Sequence, residues 1–295
     1  MTTVLRYAAF TTTPVGGNPA GVVPDASGLT DEQQLAIAAG LGYSETAFLT
    51  PDPQGRPGHF TVRYFAPTRE VPFCGHATVA AAIAIAERSA PGELVFATAA
   101  GPVPVTVAAD RDGVLRATLT SVEPRVLEVD PADVQEALAA LDWRADELDP
   151  TLPPRIAYAG ARHLVLAAAT RERLARLDYD FDRLAALMTA RDLITLQLVW
   201  RASATEFHVR DPFPVGGVVE DPATGAAAAA FGAYLRELGE APATAELLLH
   251  QGEDLGRPGV LGVGLRAGDP RVRVSGAAVR LPDPQCGPAG GAHAG

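Results

Sequence analysis

Apolar positions in this chain fall mainly into short runs of strand length, broken by Gly, Pro and Asp, with a few helical-period stretches between them. Strands are predicted over 4–10, 44–49, 60–63, 94–98, 102–108 and 114–119, the last two joined at Asp112-Gly113, a hairpin signal. A second series is predicted over 163–168, 193–200, 207–210, 247–252, 259–265 and 272–279. Thr30 to Gln33 has capping-box spacing and starts a helix through Leu41 that Gly42 ends. Asp130-Pro131 starts another, to about Leu141, by cap and first-turn proline. Stretches 170–177 and 181–188 read as amphipathic helices and 151–154 as linker. Gly16 to Gly21 is a turn-rich loop that either places Asn18 in a cleft or is an ordinary turn. The sum is an α+β pattern without a run of βαβ units.

Two alanine-rich helices are preceded by matching segments. The first reads Phe60-Thr61-Val62-Arg63, then Pro67, then Glu70-Val71-Pro72-Phe73-Cys74-Gly75-His76-Ala77. The second reads Phe207-His208-Val209-Arg210, then Pro214, then Glu220-Asp221-Pro222-Ala223-Thr224-Gly225-Ala226-Ala227. One design used twice implies two pseudo-equivalent halves, 1–123 and 124–281, followed by a Pro/Gly/Ala-rich tail at 282–295 expected to be disordered. Each helix opens at a glycine, and the first turn of a helix carries unpaired N–H groups and about half a positive charge. Two such ends facing one cleft suit a carboxylate, which glycine allows to approach the backbone closely. Taken singly, each helix is equally well a packed core element.

Composition narrows the chemistry. With 295 residues, 47% of them hydrophobic, the chain is a globular protein long enough for two sizeable cores. A net charge of −11 argues against nucleic acid or an anionic membrane as partner. Every basic residue is Arg, so Schiff-base chemistry and a pyridoxal phosphate anchor are excluded. The two cysteines, Cys74 and Cys286, form no disulfide framework, no signal sequence leads the chain, and the longest apolar run, 77–86, is too short for a membrane. The expected location is the cytoplasm. No Walker loop or Gly-x-Gly-x-x-Gly follows a strand, and the six histidines lack ligand spacing, so neither a cofactor nor a metal is expected.

Four side chains carry candidate chemistry. Glu45 stands at the start of an apolar strand between Ser44 and Thr46, where half-burial raises a glutamate from about 4.3 toward neutrality and suits it to acid/base work; a surface glutamate at a strand edge is the plain alternative. His76 and Cys74 at a helix start are either site residues or packed core groups. Asp221 either meets a ligand or caps a helix beginning near Pro222.

With these motifs collected, the sequence resembles the PhzF family of phenazine-biosynthesis isomerases, whose fold is shared with diaminopimelate epimerase and proline racemase. The resemblance runs through 17–23, 44–48, 63–67, 74–78, 220–225 and Gln251-Gly252 with Gly256-Arg257-Pro258. It implies two similar domains, each a curved mixed sheet wrapped around a central helix, with the active site between them, no cofactor, and assembly as a homodimer. It further implies Glu45 as the acid/base, His76 and Asp221 as groups that bind or relay protons, Gly75 and Gly225 as donors to a substrate carboxylate, and Asn18, Thr224 and Ala226 as lining. The chain departs from the family at Ala226, where serine is usual, and at Asp211, where an aromatic follows the arginine as Tyr64 does in the first half.

The resulting expectation is an isomerase that moves a proton along a conjugated small carboxylate in secondary-metabolite biosynthesis. A non-catalytic binding protein on the same fold is the alternative. A two-thiol racemase fits poorly, because the position opposite Cys74 is Thr224.

Overall fold

The computed structural model describes residues 2–282, so the tail predicted over 282–295 lies, apart from Pro282, outside the described residues. The first half contains β1 (Leu5–Ala9), β2 (Asn18–Val23), α1 (Asp31–Leu41), β3 (Glu45–Pro51), β4 (His59–Ala66), β5 (Arg69–Val71), α2 (Gly75–Ala86), β6 (Gly92–Thr98), β7 (Gly101–Ala109) and β8 (Leu115–Thr120). The second contains β9 (Arg125–Leu127), α3 (Pro131–Leu141), β10 (Arg155–Tyr158), β11 (Arg162–Ala167), α4 (Arg171–Ala175), α5 (Phe181–Arg191), β12 (Thr195–Arg201), β13 (Glu206–Pro212), β14 (Glu220–Asp221), α6 (Gly225–Glu237), β15 (Ala245–Gln251), β16 (Gly259–Arg266) and β17 (Asp269–Arg280). This is the α+β, epimerase-like architecture that the strand pattern and the resemblance imply.

Pairing repeats between the halves as the sequence does. β2 runs parallel to β3, β3 antiparallel to β4, and β4 parallel to β6; likewise β11 is parallel to β12, β12 antiparallel to β13, and β13 parallel to β15. The last strand crosses over. β17 pairs with β16, then with β8 and β1 of the first half, while β9 pairs with β10 within the second. A bidentate ion pair also recurs, Arg63 with Glu70 and Arg210 with Glu220, each with a 2.6 Å contact; only the second is buried.

Each half curls around its alanine-rich helix. In α2 almost every residue from His76 to Ala84 is buried, so the helix is apolar all round and sheet covers it on most sides. Small alanines let that sheet approach closely. α6 is covered in the same way, with Phe231 and Tyr234 filling the wider space toward Phe207. The outer face of β11 and β12, carrying Leu164, Leu166, Leu196 and Leu198, packs under α3 and α5. Burial on both faces explains why these strands read as continuous apolar runs.

Local details follow from local chemistry, with some corrections. Thr30 makes the predicted capping box, Gly42 takes the left-handed conformation at the end of α1, and Asp130 caps α3 through the Ala132 N–H. Asn18 is the first residue of β2 rather than a turn residue, the helix predicted over 170–177 shrinks to α4, and β10, which the strand pattern does not predict, begins directly after the linker-like 151–154. Among the described residues no helix is long and apolar enough to cross a membrane.

Gly232, inside α6, tests how tightly the sheet wraps its helix. A Cβ built there would lie 2.6 Å from Val263 Cγ1 and 3.2 Å from Val272 Cγ1. In an exposed helix Gly→Ala gains about 1 kcal/mol; here overpacking, worth about 1–3 kcal/mol, should win. Gly232→Ala is expected to lower Tm by several degrees in a calorimetric scan, and a raised Tm would show that β16 and β17 give way freely.

Candidate active site

α2 and α6 meet end to end. Cys74 and Thr224, both extended, precede them, and neither side chain caps its helix, so the first-turn N–H groups receive no side-chain cap. A Cβ added to Gly75 would lie 3.8 Å from Gly225 Cα, an ordinary contact that leaves no room for a ligand between the two backbones. An anion must therefore sit across the two ends rather than between them. Beneath Gly225 lies the ring of Phe10, buried and held at φ 63° by hydrogen bonds to Ala277 and Val260. A bulky residue in that left-handed region is strained, and such strain concentrates at functional sites.

The polar groups gather around this junction. Asn18 Nδ2 donates to Asp221 Oδ1 at 2.8 Å and to the Ala223 carbonyl at 3.2 Å, and lies 3.2 Å from His76 Nδ1. His76 Nε2 is 3.2 Å from Ser44 Oγ and 3.5 Å from Glu45 Oε2. The Cys74 thiol donates to Glu45 Oε2 at 3.4 Å. Across the junction, Thr224 Oγ1 donates to Asp221 Oδ2 at 2.6 Å. Gln251 accepts from the Thr224 N–H at 3.0 Å and donates to the Asp221 carbonyl at 2.8 Å. Both Asn18 amide protons go to Asp221 and Ala223, and His76 Nδ1 also lies 3.3 Å from Cys74 Sγ, so the Asn18 approach does not by itself assign the ring proton.

Burial sets the charge states. It pushes the Glu45 carboxyl above its ordinary value, with hydrogen bonds from Ser44 and Cys74 pulling the other way. Burial pushes His76 down, countered by Asp221, so the imidazole is neutral near pH 7. It also drives the Cys74 thiol well up, with the Glu45 charge adding to the effect. A thiol so held is a hydrogen-bond donor to Glu45 and a poor nucleophile. Asp221 is raised by burial, while His76 and Thr224 stabilise its charged form.

Glu45, His76, Asp221, Asn18, Gly75, Thr224 and Gly225 all stand at this junction, and Ala226 occupies the second residue of α6, half-buried. Asp221 does not cap α6: both its oxygens accept from side chains, and the helix begins four residues later. Sequence reasoning missed Gln251 and Ser44 as members of the network; Gln251 was visible only as part of a family motif. It also missed that Glu45, Cys74 and His76 each bring one potential metal-ligand atom within 4.8 Å of the others. Those donor types suit a borderline metal such as zinc. Binding one would require removing the thiol proton, which burial and Glu45 both oppose, so the trio is read as a hydrogen-bonded set.

Comparison with known proteins agrees with this geometry. Residues 7–283 match the profile of the phenazine biosynthesis-like protein family, PhzC-PhzF. An uncharacterized isomerase of Deinococcus radiodurans is 36% identical over 291 residues, covering 92% of this chain and 89% of that one. A trans-2,3-dihydro-3-hydroxyanthranilate isomerase of Pseudomonas fluorescens is 28% identical over 254 residues, covering 86% of each. The crystal structure of a Bacillus anthracis phenazine biosynthesis protein of the PhzF family superposes with a TM-score of 0.85 at 26% identity, covering 95% of this chain and 96% of that one. With two matched helix ends, an acid and a histidine at one junction, and this agreement over nearly the whole length, the chain belongs to the phenazine biosynthesis-like PhzC-PhzF family and is an isomerase.

Proposed function

We propose that this isomerase works without a cofactor, moving a proton along a conjugated small carboxylate in secondary-metabolite biosynthesis, with Glu45 as general acid/base. The observation that carries the reading is a buried, raised carboxyl beside two exposed helix N-termini, touched by a neutral imidazole and a protonated thiol. The substrate carboxylate spans the N–H groups at Gly75 and Gly225. Charged Glu45 removes a proton from carbon acidified by conjugation to that carboxylate and, now protonated, returns it further along the conjugated system. Thiol and imidazole hydrogen bonds hold the carboxylate oxygen while its proton is absent. Asp221 would repel a carboxylate and accepts instead from an amine, enamine or hydroxyl of the substrate, with Asn18 and Thr224 fixing its orientation. The substrate class is thus a small cyclic carboxylate with a donor a few atoms away, the chemistry in the name of the Pseudomonas relative's substrate. Closure of the halves 1–123 and 124–281 around the ligand, a cytoplasmic location and a homodimeric state belong to the same reading and rest on the family resemblance. A two-thiol racemase lacks its second thiol, since Thr224 stands in that place.

Glu45→Gln should remove turnover by about 10²- to 10⁴-fold, the usual worth of one positioned acid/base group, with folding intact by circular dichroism. In deuterated water the wild type should place label at the new proton position of trans-2,3-dihydro-3-hydroxyanthranilate or a related diene. Full activity of the Gln variant would sink the assignment. The base form exists only above the raised Glu45 value, so the acid limb of kcat/KM should lie above the ordinary glutamate range of about 4.3. Cys74→Ala, which removes a hydrogen bond favouring the charged form, should move that limb to higher pH while sparing most of kcat. Abolished activity at every pH would instead make the thiol a nucleophile or base. Asp221→Asn should weaken 3-hydroxyanthranilate more than benzoate in calorimetric titrations, by tenfold or so for a charge-assisted bond worth about 1.5 kcal/mol. Equal losses for the two ligands would remove the donor contact from the proposal.

A further inference from the structure

The second half carries a buried polar cluster at the place where the first half carries its acid. Register fixes the correspondence: Phe48 opposes Arg63 and Leu198 opposes Arg210, so Glu45 matches Thr195. The parallel neighbours then match Ala20 with His163. On the adjoining strands Tyr64 matches Asp211 and Val71 matches Asp221. The first half fills its inner position with Tyr64, whose hydroxyl bonds Thr78 Oγ1 at 2.6 Å. The second half places there a carboxyl with 0% exposure, and the proposed proton transfer makes no use of it.

Asp211 is anchored from one side. His163 Nδ1 lies 2.8 Å from Thr195 Oγ1, and Thr195 Oγ1 donates to Asp211 Oδ1 at 3.2 Å. Since the single Thr195 proton goes to Asp211, the hydroxyl accepts from His163, which fixes the Nδ1–H tautomer. All three residues are buried, and burial pushes His163 down to about 3, so it supplies no positive charge. Asp211 Oδ2 has no hydrogen-bond partner among the described residues.

On the other side stands Asp221, directly opposite Asp211 in the β13–β14 ladder, where Cβ atoms of facing residues are about 4.5–5.5 Å apart. The other titratable groups facing the pair are Glu45 and His76, which act on Asp221, Glu220, next to Asp221, and Arg210, whose guanidinium Glu220 already holds at 2.6 Å; burial keeps His76 neutral. Two buried carboxylates this close, with no free cation among the described residues facing them, cannot both be charged. Asp221 is half-buried and receives hydrogen bonds from Asn18 and Thr224; Asp211 is enclosed and receives one, from Thr195. We propose that Asp211 is the protonated member of a buried carboxyl pair, a positioning residue held by Thr195 and His163 that leaves Asp221 as the charged member facing the site. The role assigned to Asp221 rests on the function proposed above. The ownership of the proton does not.

The ligand-free protein tests this directly. At pH 8 the infrared spectrum of the wild type should contain a protonated-carboxyl C=O band that persists in Asp221→Asn and Glu45→Gln and is missing from Asp211→Asn. Thr195→Val should shift the band without removing it. An absent band, or one removed by Asp221→Asn or Glu45→Gln and retained in Asp211→Asn, overturns the proposal. Should Asp211→Asn fail to fold, carbon NMR of aspartate-labelled wild type replaces it: with Asp221→Asn as reference, one carboxyl other than residue 221 must keep its protonated shift up to pH 8. Stability supplies a second sign. A carboxyl whose value is raised by folding binds its proton more tightly in the native state, so its contribution is present at low pH and declines as pH rises. The Tm of Asp211→Asn minus that of wild type should therefore grow between pH 5 and pH 8, and a gap that shrinks would mean that Asp211 is charged in the native protein. Failure of the ligand experiments at Asp221 with the band correctly assigned would count against the proposed function alone.

Discussion

Everything at this site depends on two helix N-termini brought into contact. Each presents about half a positive charge and a set of unpaired N–H groups, and side by side they repel. The fold accepts that cost because α2 and α6 are each clasped by their own sheet and joined through β17, which pairs with strands of both halves. The junction then favours negative charge nearby, and Glu45 and Asp221 are the carboxyls that stand beside it. A Cβ at either first position would make only ordinary contacts, 3.8 Å from Gly75 to Gly225 Cα and 3.5 Å from Gly225 to Phe10, so packing between the helix ends does not itself demand glycine.

A repeated scaffold has been given unequal chemistry. The Arg–Glu pair, the strand order and the helix start are duplicated, whereas the reactive groups are divided. The first half supplies Glu45, Cys74, His76 and Asn18; at the first three positions the second has Thr195, Thr224 and Ala226. The second supplies Asp221, where the first has Val71. A symmetric pair of acids around one substrate carbon would suit inversion by two bases. One acid on one face and a hydrogen-bond acceptor on the other suits removal and return of a proton from the same side.

Burial does different work in the two halves. Around Glu45 it raises a carboxyl that still meets solvent along one edge. Around Asp211 it encloses a carboxyl fully, where only the neutral form is tolerated without a cation. Substituting Asp for the aromatic of the first half thus changes the electrostatics beneath Asp221 without changing the fold.

The sequence by itself determined the elements whose causes are local. The Thr30 capping box, the Asp130 cap, the apolar runs of the buried strands and the duplicated segment before each alanine-rich helix were all legible, because short-range hydrogen bonding and burial period leave marks in neighbouring residues. Candidates inside the duplicated motif, Cys74 to His76 in the first copy and Asp221 to Gly225 in the second, stand out for the same reason, whereas Glu45 lies outside it. What only the tertiary structure decided were contacts between residues far apart in the chain. Asn18 bonds Asp221 across 203 positions, and Gln251 holds Thr224 from a strand beyond the helix. The Cys74–Glu45 bond, the left-handed Phe10 beneath Gly225 and the pairing of β17 with strands of the first half are of the same kind. The sequence leaves Asp221 as either a ligand contact or a cap, and the tertiary structure removes the cap because Asn18 and Thr224 take its oxygens. Long-range packing brings such groups together, and no spacing rule within one segment records it.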